Sequence, residues 1–202
     1  IYKINPSDGS MVGSFTSPNI NAADLTFVNN RLWNVDIFSR TFYSVDTTIG
    51  PPWTTEFVKA GNDYIGIAYD GSSIWSSDFN LNVINELDTN GNILSSIPSP
   101  DISPNGLAWD GQYLWNVDQN TDFVYKIDPS TGAVVDSFAA PAANPTGIAF
   151  DGQYLWITDV GTNLIYKMDL GYTPAPPGAV TLLTMLGGLG GWAGAARILR
   201  HR

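Results

Sequence analysis

Four aspartates, Asp36, Asp78, Asp118 and Asp159, recur along this sequence at intervals of 42, 40 and 41 residues. A carboxylate repeated in this way offers two kinds of chemistry. Gathered into a ring, the four would supply the hard oxygen ligands that a cation such as calcium takes. Used singly, each would accept backbone N–H groups in the turn that follows it. The second reading is preferred, because a residue demanded in every repeat is explained most simply by what every repeat shares. Calcium is then the one cofactor the sequence suggests.

Other chemistry is largely excluded. The only histidine is His201, so the body has no imidazole to act as a base or to hold zinc, and there is no cysteine. Ser-His-Asp, Cys-His and zinc-water mechanisms therefore have no place in the body. Gly188, Gly190 and Ala193 fit a dinucleotide fingerprint only on paper, with no strand before them. The segment Asp88 to Asn92 starts like a calcium loop but has Ile93 where glycine is needed, and reads as an Asx turn. Function should then lie where the repeats disagree, at Arg40, Trp53, Glu56, Lys59, Asp101 and Asp122. Arg40 and Asp122 fall between second and third strands, on the face of the aspartate ring, and are the ligand candidates.

The elements that must position these residues come from the repeat itself. Each aspartate closes one phrase: LTFVNNRLWNVD, GIAYDGSSIWSSD, GLAWDGQYLWNVD and GIAFDGQYLWITD, with Trp33, Trp75, Trp115 and Trp156 in register. A second phrase follows each, with Asp46, Asp88, Asp128 and Asp169 in register, and the opening IYKINPSDG is a fifth copy of it. Each period reads as four short strands: an apolar run closed by Asp-Gly, a Trp-bearing run, and two alternating runs joined by a polar turn. Such a sheet cannot bury both faces alone, so the periods must stack, and the fold class is an all-β propeller of four-stranded antiparallel blades. The periods lie near 1–22, 23–62, 63–104, 105–145 and 146–170, about four to five blades. They form either an open arc of a larger ring or a small ring in which the N-terminal strands complete the last blade. The tryptophans should pack blade against blade, and the Asp-Gly set Asp70, Asp110 and Asp151 should serve its hairpins.

These repeats resemble the NHL-like propellers of bacterial secreted proteins over nearly all of residues 1 to 170, and more loosely the virginiamycin B lyases, whose dependence on histidine this body cannot meet. The chain begins at Ile1 inside a repeat, without a leader, and reads as an N-terminally truncated piece.

After Asp169 a Pro/Gly linker, 171–178, leads to an uncharged run over 179–196 and a basic end, the last part of a tail spanning 179–202. A run of this length is near the minimum for a transmembrane helix, with its basic end cytoplasmic and the propeller outside. The order of Pro174, Pro176 and Pro177, a glycine-rich apolar span, then Arg197, Arg200 and Arg202 resembles a PEP-CTERM type sorting signal, although Pro174-Ala175-Pro176 stands where that family has Pro-Glu-Pro. The resemblance implies an exosortase-like processing enzyme as a partner and export to the cell envelope.

Charge adds a further exclusion. All 19 acidic residues precede the tail against six basic ones, a body net of −13 that repels nucleic acid. The leading expectation is a surface-anchored, non-catalytic module that binds a protein, glycan or extracellular polymer. The alternatives are a metal-dependent propeller lactonase or lyase using channel carboxylates, and a structural matrix component.

Overall fold

The computed structural model describes residues 1–171. Seventeen strands, and no helix, lie among them. They form a propeller of four blades. The first contains β3 (Ala22–Val28), β4 (Arg31–Asp36), β5 (Thr41–Val45) and β6 (Thr54–Val58). The second contains β7 (Tyr64–Tyr69), β8 (Ile74–Asp78), β9 (Val83–Leu87) and β10 (Ile93–Pro98). The third contains β11 (Pro104–Trp109), β12 (Leu114–Asp118), β13 (Phe123–Ile127) and β14 (Val134–Ala139). The fourth has three strands, β15 (Pro145–Phe150), β16 (Tyr154–Asp159) and β17 (Leu164–Asp169).

Burial follows from each strand's place in its sheet. Second strands β8 and β12 are buried at every position, because a neighbouring strand lies on each side and a blade lies over each face. Outer strands β10 and β14 are mostly exposed. Three hydrophobic clusters join successive blades. Trp33, Val35 and Phe42 meet Tyr64, Ile67 and Ile74. Trp75 and Ile84 meet Leu107, Leu114 and Ile127. Trp115 and Val124 meet Ile148, Leu155 and Met168. The tryptophans of the first three blades thus pack blade against blade, at 4%, 4% and 1% exposure.

The first strands of the four blades begin at Ala22, Tyr64, Pro104 and Pro145, and each has an irregularity near its start in its pairing with the second strand. Of the two arrangements open for the N-terminal strands, β1 (Tyr2–Ile4) and β2 (Met11–Ser14) do not take the one in which they complete the last blade, and pair only with each other. They have the sequence of third and fourth strands, so the edge they pair through is already used between them.

The tail lies outside the described residues, as do Pro174, Pro176, Pro177, Arg197, Arg200 and Arg202. No helix among the described residues is long and apolar enough to cross a membrane.

Candidate functional site

The recurring aspartates are built into turns. Asp36 Oδ1 accepts the Ser39 N–H at 2.7 Å, and Asp78 Oδ1 accepts those of Asn80 and Leu81 at 3.0 and 2.9 Å. Asp118 Oδ1 takes Asn120 and Thr121 N–H at 2.9 Å each, and Asp159 Oδ1 takes Thr162 N–H at 2.7 Å. All four are nearly fully buried. They do not converge: no group of three or more His, Cys, Asp or Glu side chains with metal-binding geometry exists among the described residues. The outer oxygen distinguishes the blades. Asp78 Oδ2 accepts Asn62 Nδ2 at 2.6 Å, whereas Oδ2 of Asp36, Asp118 and Asp159 is buried without a partner. The positions equivalent to Asn62 hold Ile20, Ile102 and Ala143, which carry no donor. Burial pushes the Asp118 carboxyl above its ordinary pKa, and the nearby Asp101 charge adds to this.

Arg40 and Asp122 are clasps between blades. Both lie in the left-handed region, φ 55° and 58°, as do Asn82 and Asn163 at the same point of the other blades. Arg40 Nε donates to Asp63 Oδ1 of the next blade at 2.8 Å. Asn82 Oδ1 accepts Ser103 N–H at 3.1 Å, and Asp122 Oδ1 accepts Asn144 N–H at 3.2 Å. A shared structural position, with different side chains, gave these residues their singular look in the sequence. Two of the other unusual positions are likewise occupied: Trp53 Nε1 donates to Thr16 O at 3.0 Å, and Glu56 accepts the Ser44 hydroxyl.

A cavity of about 290 Å³ opens instead at the Asp-Gly end of the axis, lined by all four first strands. Phe27, next to last in its strand, and Tyr69, Trp109 and Phe150, the last residues of theirs, contribute one aromatic residue per blade to its lining. Tyr69, Trp109 and Phe150 also pack on the clusters between blades, while Phe27 is 58% exposed. A second cavity, about 420 Å³, lies between the first and fourth blades and shares Leu25, Ile148 and Ala149 with the first.

Asp24 lines the second cavity and not the first. In the other blades its position is Gly66, Gly106 and Gly147, and the bare backbone allows neighbouring first strands to touch: a Cβ on Gly66 would lie 2.2 Å from Asn105 O. In the first blade an aspartate takes this place and reaches across the axis. Its Oδ2 accepts the Ile67 N–H at 3.0 Å and the Leu107 N–H at 3.3 Å, from the second and third blades, while Oδ1 accepts Leu25 N–H at 2.9 Å. Asn34 Nδ2 holds the Asp24 carbonyl at 2.9 Å, the role that Ser76 and Asn116 play for Gly66 and Gly106. Asp24 as a residue is half-buried. The strands around its carboxylate still withdraw it from bulk water, and burial outweighs the three N–H groups, pushing its pKa up to about 7. The sequence signal for Asp24 was its departure from glycine nine residues before the tryptophan, a position the sequence reading did not single out.

No protein-family model matches the chain, and no curated protein is similar to it. Solved propellers are. A streptogramin B lyase structure shares 19% identity and a TM-score of 0.53, over 79% of this chain and 55% of that one. A catalytically inactive virginiamycin B lyase from Staphylococcus aureus with quinupristin shares 21% identity and a TM-score of 0.54, over 86% and 62%. A chain of the nidogen/laminin complex shares 19% identity and a TM-score of 0.55, over 74% and 76%. The chain thus spans 55% to 62% of the length of these two lyases. At such identities the likeness speaks for the propeller fold alone.

Proposed function

We propose that this propeller is a non-catalytic binding module, exported and held at the cell envelope, whose ligand enters the axial cavity through its aromatic mouth. The observation that carries this reading is the convergence of Phe27, Tyr69, Trp109 and Phe150 on one cavity. Aromatic faces offer apolar area and quadrupole attraction with little side-chain entropy to lose, the usual ingredients of a recognition surface. The recurring carboxylates support it, since each is occupied by a turn. The sorting-signal resemblance of the tail supports the location, with residues 179–202 as the membrane anchor, Arg197, Arg200 and Arg202 on the cytoplasmic side and an exosortase-like enzyme as processing partner.

The test pairs location with binding. In cells making the chain behind a secretory leader, added protease should remove the propeller without lysis. Purified propeller should then retain members of a panel of glycans, extracellular polymers and envelope proteins, and Phe27→Ser, at the ring that is 58% exposed and outside the clusters between blades, should release them while leaving the thermal melt in place. Retention unchanged by Phe27→Ser overturns the site.

One observation favours a second reading. Asp24 is a channel carboxylate with a raised proton affinity, the kind of group a lactonase or lyase uses as a general base, alone or beside a divalent ion such as calcium. Turnover of lactone or ester substrates that is lost in Asp24→Asn would establish it.

A further inference from the structure

We infer that the gap between the first and fourth blades is a docking site for a two-stranded β-hairpin, built like the first and second strands of this chain's own repeat and donated by another polypeptide. The inference goes beyond the axial-cavity reading and does not depend on it.

Successive blades meet through one repeated contact. The second-strand tryptophan of each blade shares a buried cluster with an aliphatic residue of the next first strand: Trp33 with Ile67, Trp75 with Leu107, and Trp115 with Ile148. The series has two loose ends. In the first blade Leu25 holds the position of Ile67, Leu107 and Ile148, yet it is 38% exposed where they are 0%, 2% and 4%. In the fourth blade Trp156 holds the position of the buried tryptophans and is only half-buried. Tyr154 and Thr158, on the same side of β16, are half-buried with it, while Leu155 and Ile157 on the other side are buried against the third blade. First strands pack side by side from β3 to β7, β11 and β15, but β15 does not pack along β3 in this way. Leu25 and Trp156 instead line one cavity of about 420 Å³.

The occupant's chemistry follows from what fills the closed joints. An aliphatic residue must cover Trp156 and an aromatic one must cover Leu25, and the repeat supplies both from adjacent strands of one Asp-Gly hairpin, as Leu107 and Trp115 show in the third blade. The outer half of such a blade is already present. β1 and β2 have the sequence of third and fourth strands, and Ile4 and Pro6 line the same cavity. Ile1 and Phe15 exchange backbone N–H···O bonds at 2.9 and 3.0 Å, so the alternation of an antiparallel ladder turns the N–H and C=O of Tyr2 away from β2, to the edge that a second strand would take. An open strand edge beside two apolar walls specifies strand addition. A second copy of the chain fits less well, because both walls line one cavity and leave no room between them for four more blades. Every described first and second strand already belongs to a blade, and residues 172–202 contain no Asp-Gly hairpin sequence, so the donor lies outside these residues.

The probe is a fluorescently labelled synthetic peptide with the sequence of residues 104–118, the inner hairpin of the third blade, added to the purified 202-residue chain while anisotropy and the melting temperature are followed. One peptide should bind per chain and raise the melting temperature, and a shuffled peptide of the same composition should do neither. Leu25→Arg and Trp156→Arg each place a charge on one wall of the gap and should weaken the peptide by about tenfold or more. Leu25 is already open to water, so its replacement should leave the melt without peptide in place, which separates lost docking from lost folding. No binding of the peptide, equal binding of the shuffled one, or binding unchanged in either variant overturns the inference. A concentration-dependent dimer of the chain that Leu25→Arg dissolves would overturn it as well, by showing that a second copy covers these walls.

Discussion

The Oδ2 atom of Asp24 accepts the backbone N–H of Leu107 at 3.3 Å, joining the first blade to the third across the propeller axis. The same oxygen takes the Ile67 N–H of the second blade. One side chain therefore ties three blades together, and it carries its charge in a place where water is scarce.

This tie should show in the pH dependence of stability. The Asp24 carboxyl titrates near 7 in the folded chain and near its ordinary 3.8 when unfolded. Between those values the native state holds a proton that the unfolded state has lost, so stability is greatest at the acid end of the window and falls as pH rises through about 7. A three-unit shift sets a ceiling of about 4 kcal/mol on the loss. The upward shift of Asp118 acts in the same direction. Urea midpoints should decline from pH 5 to pH 8 in the wild type and decline much less in Asp24→Asn. Parallel curves for the two proteins would refute the assignment.

Below pH 4 the opposite trend should take over. Hydrogen bonds hold the exposed turn carboxylates Asp46, Asp88 and Asp128 below their ordinary value. In Asp70, burial pulls upward but the Ser73 N–H and the Trp75 indole prevail. Their contributions are present above the unfolded pKa and are lost as pH falls through the lowered one. A melting temperature that peaks between about pH 4 and 6 is expected.

The orphaned aspartate oxygens make a further prediction. Asn62→Ile should strip Asp78 Oδ2 of its donor and cost roughly 1–3 kcal/mol. Ala143→Asn should place an amide beside Asp159 Oδ2 and raise the melting temperature. If calcium filled these positions, chelation would lower the melting temperature of the wild type. Under the turn-cap geometry, chelation leaves it unchanged.

What the sequence made legible follows from what repetition makes visible. The tryptophans and the turn aspartates recur at one spacing, so both the blades and the packing of Trp33, Trp75 and Trp115 could be read directly. Asp24 was hidden because it is one of 19 acidic residues, and its meaning depends on three glycines in other blades. Arg40 and Asp122 looked singular for the converse reason. Their side chains differ, but their left-handed backbone and their reach to the next blade are common to the series, and neither property is written in residue type. Which of the two arrangements β1 and β2 adopt was less legible, since an unpaired edge is decided by neighbours in space.

Lys126 tests how far the acidic body depends on its few cations. It is buried, with Nζ 3.4 Å from Asp110 Oδ2 and 4.4 Å and 5.0 Å from the Tyr113 and Trp115 ring centres. Lys126→Met keeps the stem and removes the charge, and should cost about 2 kcal/mol. Lys167 stands likewise over Tyr154 and Trp156 in the last blade. Trp156 is more open there than Trp115 is in the third blade, so Lys167→Met should cost less. Equal losses in the two variants would mean that burial does not set the strength of the contact.

The glycine series gives the sharpest contrast. A Cβ at Gly66 would lie 2.2 Å from the carbonyl oxygen of Asn105, and one at Gly106 would lie 2.8 Å from Gly147 Cα, in each case against backbone that cannot rotate away. Gly66→Ala should therefore force apart the second and third blades and cost about 3 kcal/mol or more. At the equivalent point of the first blade the chain already carries a larger side chain, so Asp24→Ala adds no atoms. It also removes a charge that burial disfavours, offsetting the lost N–H bonds. Denaturation at pH 8 should show Gly66→Ala strongly destabilised and Asp24→Ala within about 1 kcal/mol of the wild type. A comparable loss in both would mean that the aspartate is itself part of the packing, and that its carboxylate is not free to serve a ligand.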